Sequence, residues 1–245
     1  MREMEERVER NAEAGKGKVK KRGDAVEIES GSQLILGKKV IEPPYFVRKF
    51  GVSEEEYEEF TDEDTKAELF DGTLIIHSPA SIRHEDIFGF LYFLMRGYAE
   101  HKQLGKVLGS RATMHLGPCR LFEPDILFVR SERLSILRER RLEGVADLVV
   151  EILSPWTRNY DMQEKRQAYH SAGVEELWFV DDEARNIVVD RRRRDGKYRT
   201  STVRAGKVES EVMQGFFVLA EWLWAEVLPE PFACLRKILR ESERG

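Results

Sequence analysis

Between Ala146 and Leu153 the chain reads Ala-Asp-Leu-Val-Val-Glu-Ile-Leu, and after Asp147 only Glu151 interrupts the apolar run. A strand that is apolar on both sides has to be covered on both faces. No other segment restricts the fold as much, because it demands a sheet with other layers packed against it.

The neighbouring segments can supply those layers. Ser53 with Glu54, Glu55 and Glu56 predicts a helix start, with Ser53 as cap and Glu56 closing a capping box. Acids in that first turn suit the positive end of the helix dipole, and Tyr57 and Phe60 would face a core. Asp71-Gly72 between two apolar runs predicts a tight hairpin over Glu68–His77. Ile87, Phe90, Leu91, Leu94 and Tyr98 recur at helical spacing and predict a long helix from Ser81 to about Gln103. Lys106–Leu116 and Arg120–Arg130 read as strands, and a short charged helix follows from Glu132. Tyr160–Ala172 reads as a helix stopped by Gly173, and Glu176–Asp181 as a strand. Ile187–Arg204 reads as a hairpin around Asp195-Gly196 and Lys207–Met213 as a further strand. The aromatics Phe216, Phe217, Trp222 and Trp224 precede a last amphipathic helix. The fold class expected is α/β (α+β), a mixed sheet flanked by helices.

Charge divides the chain. The net charge is −5. Residues 1–52 carry a balance of +3 and residues 229–245 one of +1, which leaves −9 for 53–228. A uniformly basic, DNA-coating protein is thereby excluded. Residues 1–31 lack aromatics and are expected to form a disordered or helical extension. Residues 32–228 form the expected domain, and 229–245 a C-terminal helix. Within the extension Gly15–Arg22 holds five basic residues and no acid. Lys20 and Lys21 there are candidate nucleic-acid contacts, against the plain alternative of a solvated tail. Two cysteines cannot make a zinc site or a disulfide framework. With no apolar run of membrane-spanning length and no signal-peptide core near the charged N-terminus, a cytoplasmic protein without membrane contact is expected.

Two carboxylates stand out. Asp125 follows Pro124 and opens Ile-Leu-Phe-Val, and Glu151 sits inside the run described above. Buried carboxylates are normally paired or bind metal. Adjacent strands would bring the two acids together at a sheet end, and two carboxylates with a backbone carbonyl make a hard oxygen site of the magnesium type. A metal there would polarise a phosphoryl oxygen and acidify a bound water. Leu153, on the same strand face as Glu151, cannot supply the cation such a site needs. Lys165 can: it lies four residues from both Asp161 and Tyr169 on the next helix. Spacing alone favours an ordinary exposed Asp161–Lys165 pair.

Read together, Pro124-Asp125 and Glu151-Ile152-Leu153 resemble the PD-(D/E)XK nuclease signature with its last lysine displaced. The stretches ELFDGTLIIHSPASIRH, EPDILFV and DLVVEILSPWTRNYDMQEKRQAYHSAGVEELWFVD resemble the bacterial "putative restriction endonuclease" domain family over roughly residues 53–225. The resemblance implies a restriction-endonuclease-like core. It implies Mg2+, with Mn2+ as substitute, held by Asp125, Glu151 and the Ile152 backbone carbonyl. It also implies Lys165 in the role of the displaced lysine, Glu68 as an assisting acid and His84 as a histidine near the same cleft.

Each further candidate has a plain alternative. Glu68 could pair within its hairpin, and His84 could be a capping or surface histidine. Arg191, Arg192, Arg193 and Arg194 could grip phosphates, form a solvated face, or protect an edge strand. Ser154 lacks the flanking glycines of a nucleophile elbow and reads as a cap for the helix region at Tyr160. The expected function is metal-dependent endonuclease action on nucleic acid, DNA rather than RNA, in a homodimer whose two-fold axis would match the duplex dyad. A catalytically inactive nuclease-fold binding module for nucleic acid or protein, and a structural homodimeric scaffold, stand as alternatives.

Overall fold

The Ser53 capping box forms as the sequence dictates. The Ser53 N–H donates to Glu56 (3.0 Å) and the Glu56 N–H to Ser53 Oγ (3.2 Å). The computed structural model describes residues 42–61 (Phe60 by backbone alone), 66–109 and 111–244. Before these it describes only strand backbone: β1 (Arg7–Asn11), β2 (Lys16–Lys20), β3 (Ala25–Glu29), β4 (Gln33–Leu36) and β5 (Lys39–Ile41), paired antiparallel in that order. The extension expected over residues 1–31, with Lys20 and Lys21, lies outside the residues whose side chains are described.

The chain divides into two units, residues 1–79 with 115–123 and residues 80–114 with 124–245. In the first, β6 (Phe46–Phe50), α1 (Glu54–Phe60), β7 (Ala67–Phe70) and β8 (Thr73–His77) are followed by a return of the chain as β11 (Arg120–Phe122). β11, β7, β8 and β6 pair antiparallel in that order. Asp71 (φ 48°) and Gly72 (φ 75°) make the tight turn between β7 and β8. Positive φ at both central residues is what a two-residue hairpin requires. Leu69, Leu74, Ile76 and Leu121 close over Val52 and Tyr57.

The second unit begins with α2 (Ile82–Lys102), whose Ile87, Phe90, Leu91, Leu94 and Tyr98 are all buried. β9 (Gly105–Gly109), β10 (Thr113–His115), β12 (Ile126–Arg130), a 3₁₀ segment over Ser131–Ile136 and β13 (Arg141–Glu143) follow. The apolar run becomes β14 (Leu148–Ile152), buried at every position. One helical stretch then crosses over: α3 (Arg158–Tyr160), a π-helical segment over Asp161–Lys165, and α4 (Arg166–Ala172). It delivers the chain to β15 (Glu176–Asp181), which pairs parallel to β14, the connection a parallel pair needs. β16 (Asn186–Arg192) and β17 (Tyr198–Val203) complete a six-stranded sheet ordered β17-β16-β15-β14-β12-β9. One parallel pair among antiparallel ones, with helices against the sheet, is the mixed α+β class expected.

One face of this sheet is Ile126, Phe128, Leu148, Val150, Ile152, Trp178, Val180, Ile187 and Val189, all in one core with α2. Each such side chain contributes about 1.5–3 kcal/mol on burial. The other face carries Val149, Glu151 and Phe179, where Tyr169 and Arg166 of α4 reach Glu151 and the Phe179 ring.

The C-terminal part is β18 (Lys207–Glu209), β19 (Phe217–Leu219), α5 (Ala220–Leu223) and α6 (Pro231–Ser242). The strand expected over Lys207–Met213 ends at Glu209. There the buried Glu176 carboxylate draws the chain into a turn, accepting from Ser210 Oγ and from the N–H groups of Glu211 and Val212. Phe216 and Phe217 are inside this unit's own core, Trp222 and Trp224 pack against it, and Cys234 and Ile238 of α6 enter it. These aromatics are thus used within the chain's own core.

Candidate active site

β12 and β14 pair antiparallel with Ile126 opposite Val150. Asp125 directly precedes Ile126, and Glu151 directly follows Val150, so the two acids flank the same end of this pairing. Both carboxylates are buried, at 4% and 3% exposure. Asp125 Oδ2 accepts the Ile152 N–H at 2.8 Å. The N–H and C=O of one strand residue point to the same side, so the Ile152 carbonyl lies on the side of β14 that faces Asp125. His84, in the first turn of α2, places Nε2 3.3 Å from Asp125 Oδ2. An ionised carboxylate only accepts, so this contact is a hydrogen bond in the tautomer with the proton on Nε2.

Glu151 is held from the crossover helix. Its Oε1 accepts from Tyr169 Oη at 2.6 Å and lies 2.7 Å from Lys165 Nζ. Lys165 Nζ is also 3.7 Å from Asp161 Oδ1 and 5.9 Å from the centre of the Tyr160 ring. Lys165 and Asp161 belong to the π-helical segment. A π turn widens the helix by one residue, and such turns recur at functional sites. The exposed Asp161–Lys165 pair that spacing favours is not what forms. Asp161 is 6% and Lys165 3% exposed, because the helix packs this face on the sheet and Glu151 offers the ammonium a buried partner. Ser154, read from the sequence as the cap of this helix region, instead holds the turn before it: its Oγ accepts the Thr157 N–H at 3.2 Å, and Thr157 is the N-cap of α3.

A second anchor fixes the same helix. Arg166 and His170, one position along from Lys165 and Tyr169, converge on Asp190 of β16. Arg166 Nε and Nη2 are at 2.6 and 2.8 Å and His170 Nε2 at 2.7 Å, with Thr200 Oγ1 adding a bond at 2.6 Å. Burial pushes the Asp190 carboxyl upward, but hydrogen bonds from His170, Arg166 and Thr200 outweigh it and hold it well below the usual carboxylate range. His170 stacks on Tyr198 at 3.7 Å, and burial pushes that phenol up to about 12.

Glu68 is fully buried in the first unit, where its Oε1 accepts the Glu123 N–H at 2.9 Å. The arginine run does not reach the carboxylates. Arg191 stands across β15 from Glu176, level with Leu148, whereas Glu151 is level with Phe179 and Val188. That is three residues, about 10 Å, down the strands, and Arg192–Arg194 lie further still. The run is on β16 and its turn, not on the edge strand, which is β17. Arg191 is held by Glu176 (3.5 Å), Glu211 (3.5 Å) and the Glu209 carbonyl. Asp161 and Tyr169 were visible in the sequence only as helix neighbours of Lys165, and the four-residue spacing was their signal.

The donor set fits a hard divalent cation. Asp125, Glu151 and Asp161 supply buried carboxylate oxygens beside Lys165. No group of three or more His, Cys, Asp or Glu side chains at metal-binding spacing occurs among the described residues. Two carboxylates and a carbonyl would leave the remaining positions to water and phosphate, as magnesium prefers.

The mixed α+β fold is of a nuclease-like class. The sequence profile described as "Uma2: Putative restriction endonuclease" matches residues 54–221, so the chain belongs to the Uma2 family. The crystal structure of a "putative nuclease belonging to DUF820" from Anabaena variabilis ATCC 29413 is similar in fold, with a TM-score of 0.61 and 15% identity over 71% of this chain and 97% of that one. No curated protein matches the chain. No helix among the described residues is long and apolar enough to cross a membrane.

Proposed function

We propose that this chain is a Mg2+-dependent endonuclease that hydrolyses phosphodiester bonds of DNA, with Mn2+ able to substitute. The observation that carries the reading is the contact of Lys165 Nζ with Glu151 Oε1 at 2.7 Å, made from the helix that follows β14. It supports a displaced lysine acting where Leu153 leaves none on the strand. Asp125, Glu151 and the Ile152 carbonyl would hold the metal, which when bound polarises the phosphoryl oxygen and acidifies a bound water. Lys165 orients the attacking water and offsets negative charge developing on the phosphate. Tyr169 fixes the Glu151 carboxylate, and His84 with the Ile152 N–H fixes that of Asp125.

The test is strand cleavage of supercoiled plasmid and of circular single-stranded DNA with magnesium or manganese. Wild type should cleave, and Asp125→Ala, Glu151→Ala and Lys165→Ala should not. Equal activity in all four proteins, or none in wild type, would leave the inactive binding module as the better reading.

A further inference from the structure

The strands of the six-stranded sheet set a row of cations across the end that holds Asp125 and Glu151. β12 begins there and β14 finishes there. On one side Gly109 of β9 pairs with Ile126, and Arg111 follows two residues later. On the other side Asn186 of β16 pairs with Asp181 at the end of β15, and Arg185 directly precedes Asn186. Val203 of β17 pairs with Ile187, and Arg204 directly follows Val203. β16 and β17 lie two and three strands from β14, about 10 and 14 Å at the usual strand spacing. Arg111, Arg185 and Arg204 are all exposed.

Arg185 and Arg204 differ from the arginines that serve the fold. Arg83, Arg158, Arg166 and Arg191 are committed to Asp182, Asp181, Asp190 and Glu176 respectively. Arg185 and Arg204 make no ion pair among the described residues. Asp181 and Asp182 are thereby already neutralised, and Glu221 accepts the Gly206 N–H at 2.8 Å. Glu183 is the exposed acid in the same turn as Arg185. The backbone adds a second observation. Arg185 closes the turn between β15 and β16 at φ 48°, and Arg111 stands at φ 81°. Glycine or asparagine suits such a left-handed position. An arginine there is strained, and strain of this kind gathers at functional sites.

Resting on the nuclease reading above, we propose that Arg185 and Arg204 bind backbone phosphates and carry the nucleic acid across the sheet end. The scissile phosphate then lies at Asp125 and Glu151, with Arg111 on the other side of the cut. A guanidinium offers a planar fork of donors that matches phosphate. Phosphate contacts fix the position of the backbone without reading sequence. The substrate is accordingly a polynucleotide that extends past the cleaved bond as far as β16 and β17, held there without regard to base order.

The test is an anisotropy titration of the full chain, in EDTA, with labelled DNA duplexes of two unrelated sequences at several salt concentrations. Wild type is compared with Arg185→Gly, Arg185→Lys, Arg204→Ala, Arg194→Ala and Arg240→Glu. Arg185→Gly and Arg204→Ala should each weaken binding several-fold on both sequences. Each should also lower the slope of log affinity against log salt by about 1. Arg185→Lys should keep the slope. Arg185→Gly should raise the thermal unfolding midpoint as the strain is relieved, which separates a lost contact from a damaged fold. Arg194→Ala removes the same charge beyond the other end of β16 and should change neither affinity nor slope. No binding by wild type, or binding and slope unchanged in Arg185→Gly and Arg204→Ala, overturns the proposal. So does an equal effect of Arg194→Ala, which would mark net charge alone, or a loss confined to one sequence, which would mark a base contact. A slope lost only in Arg240→Glu also overturns it, by moving binding to the exposed basic face of α6. Manganese-dependent cleavage by wild type and Asp125→Ala, run in parallel, separates the two readings. Cleavage lost in Asp125→Ala alongside binding indifferent to Arg185 and Arg204 rejects the phosphate track alone. Binding that depends on both arginines without any cleavage rejects the nuclease reading alone.

Discussion

Lys165 on the π-helical segment places its ammonium 2.7 Å from the Glu151 carboxylate on β14, and both side chains are only 4% exposed. Such a pair gains little over an apolar pair of the same shape, since both charges lose water. Breaking it is costly, because one charge then stays buried without its counterpart. Lys165→Met should therefore lower unfolding stability by about 3–5 kcal/mol. The double variant Lys165→Met/Glu151→Gln should recover much of that loss. Urea unfolding of the three proteins measures it, and a fully additive double variant would contradict the coupling.

Tyr169 donates to the same Glu151 oxygen at 2.6 Å from inside the core. Tyr169→Phe keeps the ring and removes the bond to a charged acceptor, worth about 1.5–3 kcal/mol. Stability should fall by that order, and plasmid cleavage should fall with it if Glu151 is a ligand that needs fixing. Denaturation and cleavage rates measured on one preparation check both.

Asp190 is fully buried and its carboxyl is held below the ordinary value. A depressed carboxylate contributes stability that is present above its unfolded pKa, about 3.9, and is lost as pH falls from there toward the folded value. Wild type should therefore exceed Asp190→Asn in stability at pH 7, and the gap should shrink below about pH 4. Urea midpoints from pH 7 to pH 3 read this directly, and a gap that widens on acidification would contradict the sign.

Gly105 opens β9 opposite Arg130. A Cβ there would lie 2.1 Å from the Val129 carbonyl oxygen, with φ at 153°. Gly72, at φ 75°, has only the Val52 carbonyl within reach, at 3.6 Å. Gly105→Ala should thus cost clearly more than Gly72→Ala, for which backbone strain of about 1–2 kcal/mol is expected. Thermal unfolding of the two variants orders them.

Much of this molecule was legible because the signals were local. Asp71-Gly72 allows one kind of hairpin, Ser53 with Glu56 one kind of helix start, and the apolar run at β14 one place in a sheet. Asp125 and Glu151 were legible as charged interruptions of strands. The π turn was not, since a four-residue spacing between Asp161 and Lys165 looks the same in an exposed α-helix and in a widened buried one. Nor was the position of Arg191–Arg194, because the register of β16 against β15 is set by contacts far apart in sequence. That register alone decides that Arg191 falls level with Leu148 and not with Glu151. The use of Phe216 and Phe217 within the chain's own core was hidden for the same reason.

The most direct test of the account is a calorimetric titration with Mn2+ of wild type, Asp125→Ala and Glu151→Ala, with circular dichroism to confirm that each is folded. The account predicts saturable binding to wild type that either substitution abolishes. No binding to folded wild type, or binding that survives in Asp125→Ala, would contradict it.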